Sequence, residues 1–271
     1  MAREGRSART RQQRLARRRQ ETRGYDEGGG RKPFYRQTWF KPVVAIGVLG
    51  IIAGLVGGSL PLLMGNDPVG PGGAGGVDPI VRRAPADPNA GLDVGAVEKP
   101  QFDAAPALAL TDGVDYRAVL ELETGTVEID LFEDVAPVHV NNFVFLARQG
   151  FFDGLTFHRV IENFVAQGGD PTATGTGGAG YVLPDEAPAP DGALTLGGAG
   201  VIAMARSAAG ASSSQFFITL SPQGQLDGLD FTAFGVVTAG LDLVQGIRLR
   251  DPQEIPAPPP GARIVAVTIQ E

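Results

Sequence analysis

The 271 residues contain no cysteine, which removes disulfide staples, thiolate metal sites and a cysteine nucleophile and leaves the redox compartment open. Histidine is almost as scarce. Only His139 and His158 are present, the first in a helix-like stretch and the second beside Arg159, so a histidine metal pair has no support and no metal or other cofactor is expected. Positive charge is sparse over most of the chain. Thirteen of the 23 Lys and Arg residues lie within positions 1–41, among four acidic residues. The formal net charge of −7 therefore resolves into +9 on this tail and −16 on everything after it, which argues against one uniform globular body. With 43% hydrophobic residues the chain can build a substantial core, while 39 glycines and 21 prolines call for extensive loop or linker.

Ionisable side chains are absent from the run between Lys41 and Asp67. From Val43 to Met64 this is 22 residues, or roughly 33 Å of helix at ~1.5 Å per residue, enough to cross a hydrocarbon core of ~30 Å. We read 42–64 as one transmembrane helix. Trp39, Phe40 and Lys41 suit an interface, and the basic residues all on the N-terminal flank would keep residues 1–41 cytoplasmic and place the rest outside. A cleavable signal peptide fits poorly, because its charged region would be far too long and no small-residue cleavage pattern follows. Gly50, Gly54 and Gly58 recur every fourth residue; close helix packing could use them, although glycine is common in membrane helices. The segment RTRQQRLARRRQ is better explained by anionic lipid head groups than by nucleic acid, since no aromatic set or binding motif accompanies it.

Residues 65–113 hold seven prolines, nine glycines and the run GPGGAGG without apolar periodicity, the composition of a disordered tether. The texture changes at 114–271. YRAVLELE and TVEIDLF alternate apolar with polar across Thr124 and Gly125, a hairpin signal. In APVHVNNFVFLARQG the period becomes helical, with Pro137 suited to the first turn and Gly150 ending it. VIAMA, QFFITL, FTAFGVV and RIVAVTI read as strands and LDLVQGI as a second short helix. Many short strands with two helices indicate a mainly β, closed antiparallel sheet.

Three blocks combine aromatics, a single cation and uncharged amides: FHRVIENFVAQGGD, MARSAAGASSSQFF and QLDGLDFTAFG. Together with APVHVNNFVFLARQGFFDG and GTGGAGYVLPDE they resemble the signature blocks of the cyclophilin-type peptidyl-prolyl cis-trans isomerases, from about Tyr116 to Gln270. The resemblance implies an eight-stranded antiparallel barrel capped by two helices, with a shallow peptide groove outside. It implies Arg159 as the catalytic arginine, and Phe164, Phe217, Leu226 and Phe231 as the pocket for the substrate proline ring. Gln167 and Gln215 would orient Arg159 and the peptide, and Ala205 and Arg206 would meet the substrate through main-chain atoms. Proline-containing polypeptides are then the partners, and a monomer is expected. The sequence departs from the family at Gln225, where many eukaryotic members carry tryptophan and which argues for weak cyclosporin binding; at Arg206 and Ser207, which replace Asn and Ala; and in LDGLDFTAFG, one residue longer than usual, which makes Phe231 compete with Asp230 for its pocket position.

Such chemistry is feasible without nucleophile or metal. Rotation about an Xaa-Pro bond sacrifices amide resonance, a barrier of about 18–20 kcal/mol. In the twisted state the prolyl nitrogen regains a lone pair, which a fixed guanidinium stabilises more than it stabilises the planar state. Taken singly, the same residues have plainer readings, Arg159 as a surface cation over an apolar edge and Phe216 and Phe217 as alternating strand residues, Phe216 inward and Phe217 toward the groove. GTGGAG matches a dinucleotide pattern but lacks the strand before and helix after it, Ser212–Ser214 lack a nucleophile elbow, and Asp227 and Asp230 flank a Gly228 turn. His158 reads as a packed structural residue. The alternative to an isomerase is a proline-peptide-binding chaperone or scaffold without turnover. The enzyme reading adds that a catalytic domain outside the cytoplasm would speed proline-limited folding of exported or membrane proteins.

Overall fold

A computed structural model describes residues 95–186, 194–207, 209–251 and 260–271. The basic tail 1–41, the apolar segment 42–64 and linker residues 65–94 lie outside the described residues. Among the described residues no helix is long and apolar enough to cross a membrane.

The elements in chain order are β1 (Arg117–Leu122), β2 (Gly125–Leu131), α1 (Pro137–Arg148), β3 (Arg159–Val160), β4 (Val165–Gly168), β5 (Val182–Leu183), β6 (Val201–Ser207), β7 (Gly210–Thr219), a 3-10 turn (Gly224–Leu226), β8 (Ala233–Ala239), α2 (Leu241–Gln245) and β9 (Ile264–Gln270). Every pairing is antiparallel. The hairpin and both helices fall where periodicity predicts them. The sheet runs β3-β4-β7-β6-β8-β2-β1-β9, with β5 added on β7. Among the described residues it therefore has nine strands rather than the expected eight, and no continuous ladder closes it. Its ends meet through the isolated Thr156–Arg263 bridge and through bonds from the Phe157 N–H to the Ala262 carbonyl, from the Gly154 N–H to the Ile264 carbonyl and from the Ile264 N–H to the Leu155 carbonyl, so the sheet is curled. Space at this seam is so limited that a Cβ on Gly261 would stand 2.0 Å from the Phe157 carbonyl oxygen.

Two-residue alternation sorts the side chains. Leu120, Ile129, Ile202, Phe216, Ile218 and Phe234 point inward to one large core with α1, where Phe143 stacks on Phe152 at 4.7 Å and meets Phe216 edge-on at 5.7 Å. The opposite face carries a second, smaller cluster that includes Val165, Ala203, Ala205, Phe217 and Leu226. Helix α1 lacks a capping side chain at Ala136. Glu186 takes that role from far along the chain, accepting the Val138 N–H at 2.9 Å and the His139 N–H at 2.8 Å, with His139 Nδ1 at 2.5 Å. Burial pushes the Glu186 pKa up, but these three partners outweigh it and hold the carboxyl below its ordinary range.

Residues 95–113 differ from the linker that composition suggests. Phe102 is buried and edge-on to Phe145 at 5.3 Å. Asn141 accepts the Ala109 N–H and donates to the Ala107 carbonyl, and Lys99 Nζ donates to the Gly150 carbonyl just past α1. This segment packs Val97, Phe102 and Leu110 against the core at irregular spacing, so it has no period to betray it.

His158 is buried just before β3, and neither ring nitrogen has a hydrogen-bond partner among the described residues. Burial, helped by the cations Arg250 and Arg159 and opposed by Asp170, pushes its pKa down to about 4, so the ring is neutral near pH 7. The unfolded chain, with a histidine near 6.5, binds the extra proton more readily as pH falls. His158 should therefore remove about 3 kcal/mol of stability as pH drops from 6.5 to about 4. Urea unfolding of the natural chain and of His158→Asn across that range checks this. The two curves should converge toward acid, and parallel curves would show that His158 titrates alike in both states.

Candidate active site

The residues implicated by sequence come together on the outer face of the curled sheet because strand register puts them there. Arg159 on β3 lies opposite Gln167 on β4, Gln167 opposite Phe217 on β7, and Phe217 opposite Ala203 on β6. Facing residues in an antiparallel ladder share one side of the sheet and stand about 5 Å apart at Cα. A cation, an amide and an aromatic ring thus form one row across three strands.

An apolar wall surrounds the row. Phe217 packs edge-on against Phe231 at 5.4 Å, and Leu226 on the 3-10 turn, Phe164 in the turn before β4, Ala203 and Ala205 belong to the same cluster. Phe216, the neighbour of Phe217, lies in the main core. Asp230 turns with φ +58° and is exposed, whereas Phe231 stands against Phe217. Asp227 accepts the Leu196 N–H at 2.8 Å and so ties the 3-10 turn to the loop below it.

Arg159 is nine-tenths buried, yet Nε, Nη1 and Nη2 make no hydrogen bond among the described residues. Asp251 Oδ1 lies 3.7 Å from Nε, close enough for an ion pair and too far for a good hydrogen bond. Burial pulls the guanidinium pKa down and Asp251 opposes it; an arginine starts so far above neutrality that it stays charged. Asp251 carries no signal in sequence, since it sits 92 positions from Arg159 in a loop without a motif.

The two glutamines form a relay. Gln167 Nε2 donates to Gln215 Oε1 at 2.9 Å, and Gln215 Nε2 donates to the Gly177 carbonyl at 2.7 Å. Both amide orientations are thereby set, and the loop GTGGAG is tied to the site. That loop is shaped by Asp170, which accepts the Thr172 N–H at 2.8 Å and the Gly175 N–H at 2.5 Å; it precedes the short β5 and no helix. The serine run is structural: Ser212 Oγ accepts the Gln215 N–H, Ser213 Oγ accepts the Ala179 N–H, and Ser214 Oγ donates to the Gly169 carbonyl.

Ala205 and Arg206 stand at an irregularity in β6. The register with β7 jumps from Met204–Phe216 to Arg206–Ala211, so the Ala205 peptide is outside that ladder. The Arg206 side chain turns away to Asp185, Nη2 to Oδ2 at 2.9 Å. Gln225 Nε2 is bonded to Gln223, whose own Nε2 donates to the Asn163 carbonyl. Chemically, the arrangement offers a buried cation, without hydrogen bonds among the described residues, beside an apolar aromatic floor. Among the described residues no cluster of His, Asp and Glu is suited to a metal ion.

Comparison with known proteins agrees with this geometry. Residues 118–269 match the model of the family described as cyclophilin type peptidyl-prolyl cis-trans isomerase/CLD. Peptidyl-prolyl cis-trans isomerase B of Bacillus subtilis is 46% identical over 127 residues, covering 46% of this chain and 86% of that protein. A peptidyl-prolyl cis-trans isomerase of Synechococcus elongatus is 48% identical over 119 residues, covering 44% of this chain and 78% of the relative. Among solved structures, a cyclophilin type isomerase from Cryptosporidium parvum superposes with a TM-score of 0.51 at 29% identity, covering 58% of this chain and 99% of its own. With the family match spanning more than half the chain and most of each relative aligned, this protein belongs to the cyclophilin-type peptidyl-prolyl cis-trans isomerases.

Proposed function

We propose that this isomerase works at Arg159 and that its clients are exported or membrane proteins, reached from a membrane anchor at 42–64. The observation that carries the first part is the buried Arg159 guanidinium, whose three nitrogens make no hydrogen bond among the described residues, in one row with Gln167 and Phe217. A substrate proline ring held against Phe217, Phe231, Phe164 and Leu226 would bring its nitrogen toward that cation. As the amide twists, the nitrogen lone pair becomes an acceptor, and the guanidinium favours the twisted state over either planar one. The surrounding apolar side chains exclude water and so strengthen the attraction. Gln167 and Gln215, locked to each other and to Gly177, hold the peptide's position, and the off-ladder Ala205 peptide with Arg206 offers main-chain bonds to the substrate.

Arg159→Ala should lower kcat/KM for an Xaa-Pro peptide about 10²- to 10³-fold in a protease-coupled assay, the usual effect of removing one transition-state donor. Arg159→Lys keeps the charge without the planar fork and should recover only part of it. Full activity in Arg159→Ala would move the chemistry elsewhere.

The membrane reading rests on the apolar run Val43–Met64 and on basic residues confined to one flank. Anionic lipids would attract the tail 1–41, and the acidic remainder would face outward. In intact cells, external protease should release a fragment carrying the isomerase domain while an N-terminal tag stays protected. Recovery of the whole chain in the soluble fraction would refute the anchor.

A further inference from the structure

The family match begins at Ala118, but an ordered segment lies ahead of it and touches the loop that supports the site. The Val97 N–H donates to the Pro171 carbonyl and the Phe102 N–H to the Ala179 carbonyl, each at 2.8 Å, so the segment is bonded near both ends of the loop 171–180. Gln101 Nε2 donates to the Gly178 carbonyl at 2.8 Å. The approach is close. A Cβ on Gly180 would stand 2.6 Å from the Phe102 carbonyl oxygen.

From the opposite side, the Gly177 carbonyl holds Gln215, which holds Gln167, which faces Arg159. Two consecutive carbonyls are therefore gripped in opposite directions, Gly178 by the segment and Gly177 by the site. The peptide between them joins two glycines, the residues with the widest choice of backbone conformation. Ser213 Oγ, accepting the Ala179 N–H, holds the other edge of the Gly178–Ala179 peptide, so Gln101 and Ser213 fix that peptide between them.

We propose that Gln101 and Phe102 are positioning residues of the isomerase site, acting as a strap that fixes the Gly178–Ala179 peptide and through Gly178 the neighbouring Gly177 carbonyl and the Gln215–Gln167 relay. The proposal rests on the reading of Arg159 as catalytic. It makes the chain just before the family domain part of the working enzyme.

The test uses the full chain. Gln101→Ala removes the bond to the loop, and Asn141→Ala removes the strap's attachment at Ala107 and Ala109, far from the loop. Gln101→Ala should lower kcat/KM about fivefold, the usual worth of one hydrogen bond, and should speed hydrogen exchange of the Gln215 side-chain amide as read by NMR. Asn141→Ala should lower the melting temperature while leaving kcat/KM and that exchange rate within about twofold of the parent. Unchanged kcat/KM in Gln101→Ala, an equal loss in both variants, or a loss without faster exchange at Gln215 overturns the strap. Arg159→Ala assayed in parallel separates the two ideas: full activity there sinks the active-site reading, whereas its loss beside an unaffected Gln101→Ala sinks the strap alone.

Discussion

Strand β7 carries Phe216 into the interior and Phe217 to the outer face, and both halves of the protein depend on that two-residue period. Inside, Phe216 meets Phe143, Phe152 and Phe157, joining α1 to the sheet and to the chain entering β3. Outside, Phe217 stands in register with Gln167 and Ala203 and makes the floor of the site. A slip of one residue in the β4–β7 pairing would send Gln167 into the core and a core residue into the groove. The packing that stabilises the fold is thus the same constraint that aligns the cation, the amide and the ring.

The same strand also breaks its own regularity. Between Ala211 and Phe216 it leaves the β6 ladder, and the residues set free, Ser212 to Gln215, bond to Gly169, Ala179, Asn142 and Gly177. Gly169 answers this bulge, since a Cβ there would lie 2.2 Å from the Ser214 carbonyl oxygen and its φ is +83°. Small hydroxyl side chains suit a place where the backbone crowds and every polar group needs a local partner. The serine run, which in isolation suggests a nucleophile, is explained by this architecture.

What was legible in the sequence follows from which interactions are local. The β1–β2 hairpin and α1 announce themselves through period, and Phe216 and Phe217 through simple alternation. Family blocks single out Phe164, Phe217, Leu226 and Phe231, and the fold gathers them in one cluster on the outer face. Strands β3 and β5 were not legible: two residues hold no period, and each exists only because a longer neighbour pairs with it. Nor were Asp251 near Arg159, Glu186 on α1 or the strap at 97–102, since each joins positions distant in sequence through polar contacts that any exposed loop residue could make. The strap was hidden by its composition as well, because the prolines and alanines around Phe102 resemble those of the linker before it.

Arg159 and His158 are adjacent, buried and short of hydrogen bonds among the described residues, an arrangement a fold selected for stability alone would avoid. The two deficits have different consequences. Neutral His158 can rest in an apolar setting and gives up stability only in acid, whereas Arg159 keeps its charge against burial with the help of Asp251. Moving Asp251 into bidentate contact would satisfy the guanidinium and remove the incentive to bind a developing lone pair. At 3.7 Å the carboxylate offsets the burial of the cation without consuming its donors, and under the proposed role of Arg159 those are the donors a twisted amide would use.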